Sequence, residues 1–212
     1  MFWQGGGCGN PQPFVTMSKL PVDFYKKPTL TVAKELLGKV LVVKNSKAVV
    51  SGKIVETEAY IGSEDKACHA SWRRRETCKN LWGEGGIVYV YLTYGMYFML
   101  NVVTEMDNFP SAVLIRAVEP LEGMDIMVQN RHTENILNLT SGPAKLTKAF
   151  GINRRFDGFS LLGKDIYIED RDLSVGKIER SRRVGVDYAE EPWKSIEWRF
   201  YQSDSSFVSK RK

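Results

Sequence analysis

At 212 residues, with 43% hydrophobic and 26% charged residues, the chain has the size of one well-cored domain, and no apolar run approaches the ~18 residues of a membrane span. Thirty Lys and Arg against 25 Asp and Glu leave a net charge of +5 and a pI of about 9.0, which suits an anionic partner without demanding one. Cys8, Cys68 and Cys78 are an odd number with no CxxC pair, so neither a disulfide framework nor a zinc ribbon is supported and a reducing compartment is expected.

The first sixteen residues, MFWQGGGCGNPQPFVT, are rich in Gly and Pro and lack the basic and apolar segments of a signal peptide. Residues 1–16 are expected to be a flexible extension. A helix is predicted with Thr31 as its N-cap, Ala33, Leu36 and Leu37 on its apolar side, and Gly38 at its stop. KVLVV at 39–43 reads as a buried strand. Strands follow at 48–61, 87–94, 96–104 and 112–118, with Asp107-Asn108-Phe109-Pro110 as the turn before the last. Helices are predicted over 120–131, where Pro120 suits a first turn, and over 142–150, capped by Ser141 and stopped by Gly151. Short strands at 165–169 and 196–202 complete the pattern, and SSFVSKRK at 205–212 reads as a frayed basic tail. The elements predict an α+β fold in a single domain spanning 17–204.

Two segments carry chemistry. In VETEAY at 55–60, strand alternation puts Glu56, Glu58 and Tyr60 on one face. In YVYLTYGMY at 89–97, Tyr89 and Tyr91 share a face, and Tyr94-Gly95-Met96 sits where a hairpin turns. An aromatic ring at an exposed tip lacks a core of its own, and stacked bases are one thing it can enter. The plainer alternatives are a wet face of an edge strand for Glu58 and a ring folded under the sheet for Tyr94.

His69 is either a satisfied loop histidine or a substrate contact. Asn101 is a lone amide in an apolar strand and needs partners, from a polar pocket wall or from backbone. Arg116 in AVLIRAVEP needs a carboxylate, and Glu58 and Glu119 are the candidates. The clusters Arg73-Arg74-Arg75 with Lys79, and Arg180, Arg182 and Arg183, suit a phosphate backbone or a solvated basic face. Cys68, His69 and Cys78 lack the spacing of a closed metal site, and no metal is expected.

Taken in order, VETEAY, Glu64-Asp65 before Ala67-Cys68-His69, YVYLTYGMYFMLNVV, VLIRAVEPLEG at 113–123, SGPAKL at 141–146 and RVGV at 183–186 resemble the alkyladenine (3-methyladenine) DNA glycosylases. The resemblance covers residues 20–202. It implies a single mixed α+β domain with a central, largely antiparallel curved β-sheet, surrounding helices and a protruding β-hairpin that enters the minor groove of duplex DNA. It also implies a monofunctional enzyme without cofactor or metal that leaves an abasic site. By the same resemblance Glu58 is the general base, with Arg116 and the backbone at Val184 holding the attacking water. Tyr60, Tyr91 and His69 hold the flipped purine, Asn101 rejects normal guanine, and Tyr94 with Met96 fills the gap in the duplex. Arg73, Arg74, Arg75 and Lys79 are the expected contacts to the DNA backbone. The family's arginine-asparagine pair is here Lys79-Asn80, which loses bidentate phosphate geometry.

Double-stranded DNA bearing a damaged purine is therefore the expected partner, with no membrane, a monomeric state and an intracellular place with the DNA. The rival readings are a non-catalytic damage-binding protein with a tyrosine wedge and an enzyme that holds a free nucleoside in the aromatic cage.

Overall fold

The computed structural model describes residues 18–45 and 48–209. Residues 1–17 and 210–212, with the whole of the expected N-terminal extension and the last basic residues, lie outside the described residues.

The described residues begin with β1 (Ser18–Lys19), α1 (Val22–Tyr25) and α2 (Thr29–Glu35), then β2 (Val40–Asn45) and the long β3 (Ala48–Ile61). Two 3-10 stretches, His69–Ser71 and Arg75–Trp82, precede the hairpin of β4 (Val88–Thr93) and β5 (Tyr97–Val103). There follow β6 (Ser111–Glu122), α3 (Met124–Arg131), α4 (Pro143–Phe150), β7 (Ile166–Asp170), β8 (Ile178–Ser181) and β9 (Arg199–Gln202).

All the strand pairs are antiparallel, in one sheet ordered β1-β7-β2-β3-β6-β5-β4. Strand β9 continues along β3 where β2 ends and carries β8 on its other side. Strand β3 is thus paired on both sides at Glu56 and Glu58 rather than lying at an edge. Leu36, Leu37, Val32 and Ala33 from the first helical segments, with Leu146, Ala149 and Phe150 of α4, pack with Ile54, Val88, Val102 and Ile115 of the sheet. Burying a side chain of this kind contributes about 1.5–3 kcal/mol, so the helices cover one face of the sheet and leave the other to the site.

Several sequence expectations move. Helix α2 starts one turn early, with Pro28 rather than Thr31 at its cap, because proline's fixed φ suits a helix entrance. The helix expected at 120–131 begins only at Met124: Pro120 lies in β6 opposite Gly52, at a register irregularity. Gly123 makes the change of direction at φ +72, and a Cβ there would meet the Val49 carbonyl oxygen at 2.5 Å. Helix α4 has Gly142 at its cap instead of Ser141, while Gly151 ends it in the left-handed region as expected. The short strands β1 and β8 had no sequence signal strong enough to predict. The tail expected to fray is held at Ser209, which is buried.

Candidate active site

Strand register assembles the site across four strands. Glu58 pairs with Leu114, Leu114 with Asn101, and Asn101 with Tyr89. Directly opposed residues share a face, so this row lies on one surface together with Tyr60, Tyr91 and Met99. These residues, except Glu58 itself, line a cavity of about 480 Å³ closed by His69, Trp72 and Arg73 on one side and Val184, Gly185, Val186 and Tyr188 on another. The volume falls in the ordinary range of small-ligand pockets, and the lining includes the rings of Tyr60, His69, Trp72, Tyr89, Tyr91 and Tyr188.

Glu58 lies fully buried beneath the floor. Its Oε1 accepts the backbone N–H of Val184 at 2.7 Å, and its Oε2 accepts the Tyr60 hydroxyl at 2.8 Å and lies 3.2 Å from Arg116 Nη1. Tyr60, Arg116 and Val184 reach the cavity, so the carboxylate meets it through three of its own partners. Among the described residues Oε1 has one donor, and a carboxylate oxygen can accept two.

Arg116 finds Glu58, one of its two expected partners, but not Glu119. Its shortest carboxylate contact is Glu56, at 2.6 Å from Nε, and Glu119 instead pairs with Lys53 at 2.9 Å. Burial would lower the Arg116 pKa, but Glu58 and Glu56 outweigh it and hold the guanidinium above its ordinary value. Glu56, read as sharing a possible wet face, is fully buried.

Aromatic rings form the walls. His69 and Tyr91 touch edge to face at 4.2 Å between centroids, Trp72 meets His69 at 5.1 Å, and the Tyr89 hydroxyl shares a 2.8 Å hydrogen bond with His69 Nδ1. His69 and Tyr91 therefore make one wall, and among the described residues no ring contact joins either to Tyr60. Burial, then Glu58, raises the Tyr60 and Tyr91 hydroxyls well above their ordinary values, so both rings are neutral. Asn101 is buried, and its Nδ2 donates to the carbonyls of Tyr89 at 3.2 Å and Met99 at 3.4 Å. It serves the backbone and lines the cavity at once.

Burial, and secondly Arg73, push His69 from 6.5 down to about 3. Between those values the unfolded chain takes up a proton that the folded chain refuses, so stability rises with pH across the window and is lost as pH falls through it. A chemical-denaturation series just below pH 6.5, above the main carboxylate range, is expected to show this slope, and His69→Gln to flatten it. An unchanged slope in the variant would mean that His69 is protonated in the folded protein.

The hairpin tip projects. Tyr94 is 80% exposed and Met96 66%, and the Met96 N–H donates to Thr93 O at 3.2 Å. Tyr94 and Gly95 have φ +50 and +68, and a bulky side chain in that region is uncommon. A Cβ on Gly95 would meet nothing within 4 Å, so the tip is held by its turn and not by packing.

The basic clusters divide. Arg74, Arg75 and Lys79 are exposed, and Arg75 is also hydrogen-bonded to Asn108 and lies over the Trp82 ring at 4.5 Å. Arg73 leans into the cavity, 4.9 Å from the Trp72 centroid. Arg183 is buried, which corrects its reading as a phosphate contact: its guanidinium forks onto Asp65 at 2.6 and 2.9 Å and bonds the Ala59 and Trp193 carbonyls. Arg180 pairs with Glu197. Sequence reasoning missed the Asp65–Arg183 pair, Arg199 and Ser209. The run Arg182-Arg183-Val184 held a signal, since an arginine next to a backbone group at the site must either face solvent or find an acid.

Among the described residues no group of three or more His, Cys, Asp or Glu side chains is placed to hold a metal ion, and no helix is long and apolar enough to cross a membrane.

The family model for methylpurine-DNA glycosylases matches residues 23–206. Relatives whose names describe a 3-methyladenine DNA glycosylase include one from Clostridium novyi (strain NT), 45% identical and covering 92% of this chain and 100% of the relative. Another, from Desulfitobacterium hafniense (strain Y51), is 44% identical over 91% of this chain and 99% of its own length. A third, from Methanocella arvoryzae (strain DSM 22066 / NBRC 105507 / MRE50), is 48% identical over 92% and 98%.

Proposed function

The chain belongs to the methylpurine-DNA glycosylase family and is a 3-methyladenine DNA glycosylase that acts on DNA in the cell, and from that premise we propose that it flips alkylated or deaminated purines out of duplex DNA and hydrolyses their glycosidic bond with a water activated by Glu58. The substrates proposed are 3-methyladenine, 7-methylguanine and hypoxanthine. The observation that carries the reading is a buried carboxylate with a free acceptor site beneath an aromatic cavity.

Alkylation at N3 or N7 makes a purine cationic and a good leaving group, so little acid catalysis is needed. The cavity's neutral tyrosine faces suit such a cation. Tyr60 forms one wall for the base and Tyr91 with His69 the other, while Asn101 crowds the 2-amino group of normal guanine. Glu58 Oε1 takes the proton of a water as its oxygen attacks the anomeric carbon. The C–N bonding pair leaves with the purine, and an abasic site remains. The Glu58 charge also stabilises the oxocarbenium-like transition state, and Arg116 with the backbone of Val184 keeps the carboxylate and water in line.

Tyr94, with Met96 beside it, enters the duplex where the flipped base left. Extrusion costs a few kcal/mol, and stacking on an aromatic ring returns about 1–3 kcal/mol per base. Tyr94→Ala is therefore expected to weaken lesion affinity by roughly tenfold or more, with the unfolding midpoint unchanged because the ring buries little. Titration with duplex DNA and a thermal melt test it: a large loss of stability, or unchanged affinity, would remove the wedge role. Arg74 and Lys79, exposed and outside the cavity lining, meet phosphates, and the protein acts as a monomer.

The deciding test is release of free base from a duplex carrying one methylated purine. Tight lesion binding without release would favour the non-catalytic damage-binding reading.

A further inference from the structure

We propose that the C-terminal segment at Ser209, acting through Glu56, is a positioning element of the catalytic centre that aims the Arg116 guanidinium at Glu58. The inference rests on Glu58 being the base. Arg116 is a planar fork held at three corners: Nε donates to Glu56 Oε1 at 2.6 Å, Nη2 to Ser209 Oγ at 3.3 Å, and Nη1 lies 3.2 Å from Glu58 Oε2. With two corners fixed by Glu56 and Ser209, the direction of the third is set.

Ser209 is itself tightly held. Its N–H donates to Glu56 Oε2 at 2.7 Å, its hydroxyl to Glu56 Oε1 at 2.7 Å, and its carbonyl accepts Arg199 Nη2 at 3.4 Å. Arg199 closes the cluster with Nε to Glu56 Oε1 at 2.7 Å. Two carboxylates thus face two guanidiniums in a buried, neutral quartet.

The two glutamates divide the work. Glu56 Oε1 accepts from Arg116, Arg199 and Ser209 together, so its acceptor capacity is consumed. Glu58 keeps an open site on Oε1. Neither Glu56 nor Ser209 lines the cavity, so both act on substrate only through Arg116. Without the Glu56 charge, Arg116 would keep Glu58 as its one carboxylate partner and would be free to swing, and Arg199 would lose its carboxylate.

The test measures single-turnover base release and lesion affinity for full-length Ser209→Ala, Ser209→Thr and Glu56→Gln, with Glu58→Gln as reference and a thermal melt for each. Ser209→Ala removes the hydroxyl's bonds to Arg116 and Glu56 and is expected to slow release about tenfold, the worth of the one that aims Arg116, with lesion affinity unchanged. Ser209→Thr, which keeps the hydroxyl, is expected to restore the rate. Glu56→Gln is expected to slow release roughly a hundredfold, as a misplaced catalytic group does. Wild-type release by folded Ser209→Ala, or a parallel loss of affinity and rate that Thr fails to rescue, overturns the inference. Should Glu56→Gln fail to fold, the Ala and Thr pair at Ser209 decides. If only Glu58→Gln is slow, this inference fails alone; if Glu58→Gln keeps full activity, the base assignment fails first.

Discussion

Replacing Glu58 by Gln is expected to slow base release by at least about a thousandfold, while binding to a lesion-bearing duplex survives. The substitution keeps the side chain's volume and its place beside Tyr60 and Val184, and removes the proton acceptor and the negative charge. Both losses fall on the transition state, since proton removal from water and stabilisation of the developing sugar cation occur only there. On the proposed reading, lesion affinity rests instead on Tyr60, Tyr91, His69 and the exposed tip, and the substitution leaves all of them in place. One side effect is expected: Arg116 would keep only Glu56 as a carboxylate partner, so some stability is lost and a melt must accompany the kinetics. A folded variant that releases base at the wild-type rate would remove Glu58 from the mechanism.

Asp65→Asn is expected to cost about 3–5 kcal/mol of stability, because breaking a buried ion pair leaves the other charge uncompensated. Both side chains of the Asp65–Arg183 pair are fully buried. Asp65 also accepts the backbone N–H groups of Ile61 and Ala67, tying the end of β3 to the loop that leads to His69. Arg183 lies 4.7 Å from the Tyr60 centroid and precedes Val184, the residue whose N–H holds Glu58. Denaturant unfolding measures the loss, and the folded fraction should also excise more slowly as Val184 drifts from the carboxylate. A change under about 0.5 kcal/mol, typical of a surface substitution, would show that water reaches the pair. The paired replacement Asp65→Leu with Arg183→Met should recover part of the stability without recovering the rate.

Much of the site is legible in the amino-acid order. Alternation in VETEAY puts Glu58 and Tyr60 on one face, and the turn at Tyr94-Gly95 puts an aromatic ring at a tip, because both follow from local geometry. Arg116 must find an acid, since an apolar strand cannot leave a guanidinium unpaired. Which acid it finds is not a local matter: Glu56 meets it through a bulged register between β3 and β6, and Ser209 meets it from the far end of the chain. Pro120 misleads for a related reason, as its local preference for a helix start loses to pairing opposite Gly52.

The amino-acid order by itself determined the family, the α+β class, the face that Glu58 and Tyr60 share and the hairpin that carries Tyr94, all of which rest on short-range pattern or on collinear motifs. Tertiary structure alone decided that Glu56 and Glu58 are buried and not wet, that Arg183 faces Asp65 and not phosphate, and that Ser209 closes the ion cluster. Burial and charge pairing depend on which strands and tails arrive from 60 to 153 residues away, and strand periodicity, which repeats every two residues, carries no record of them.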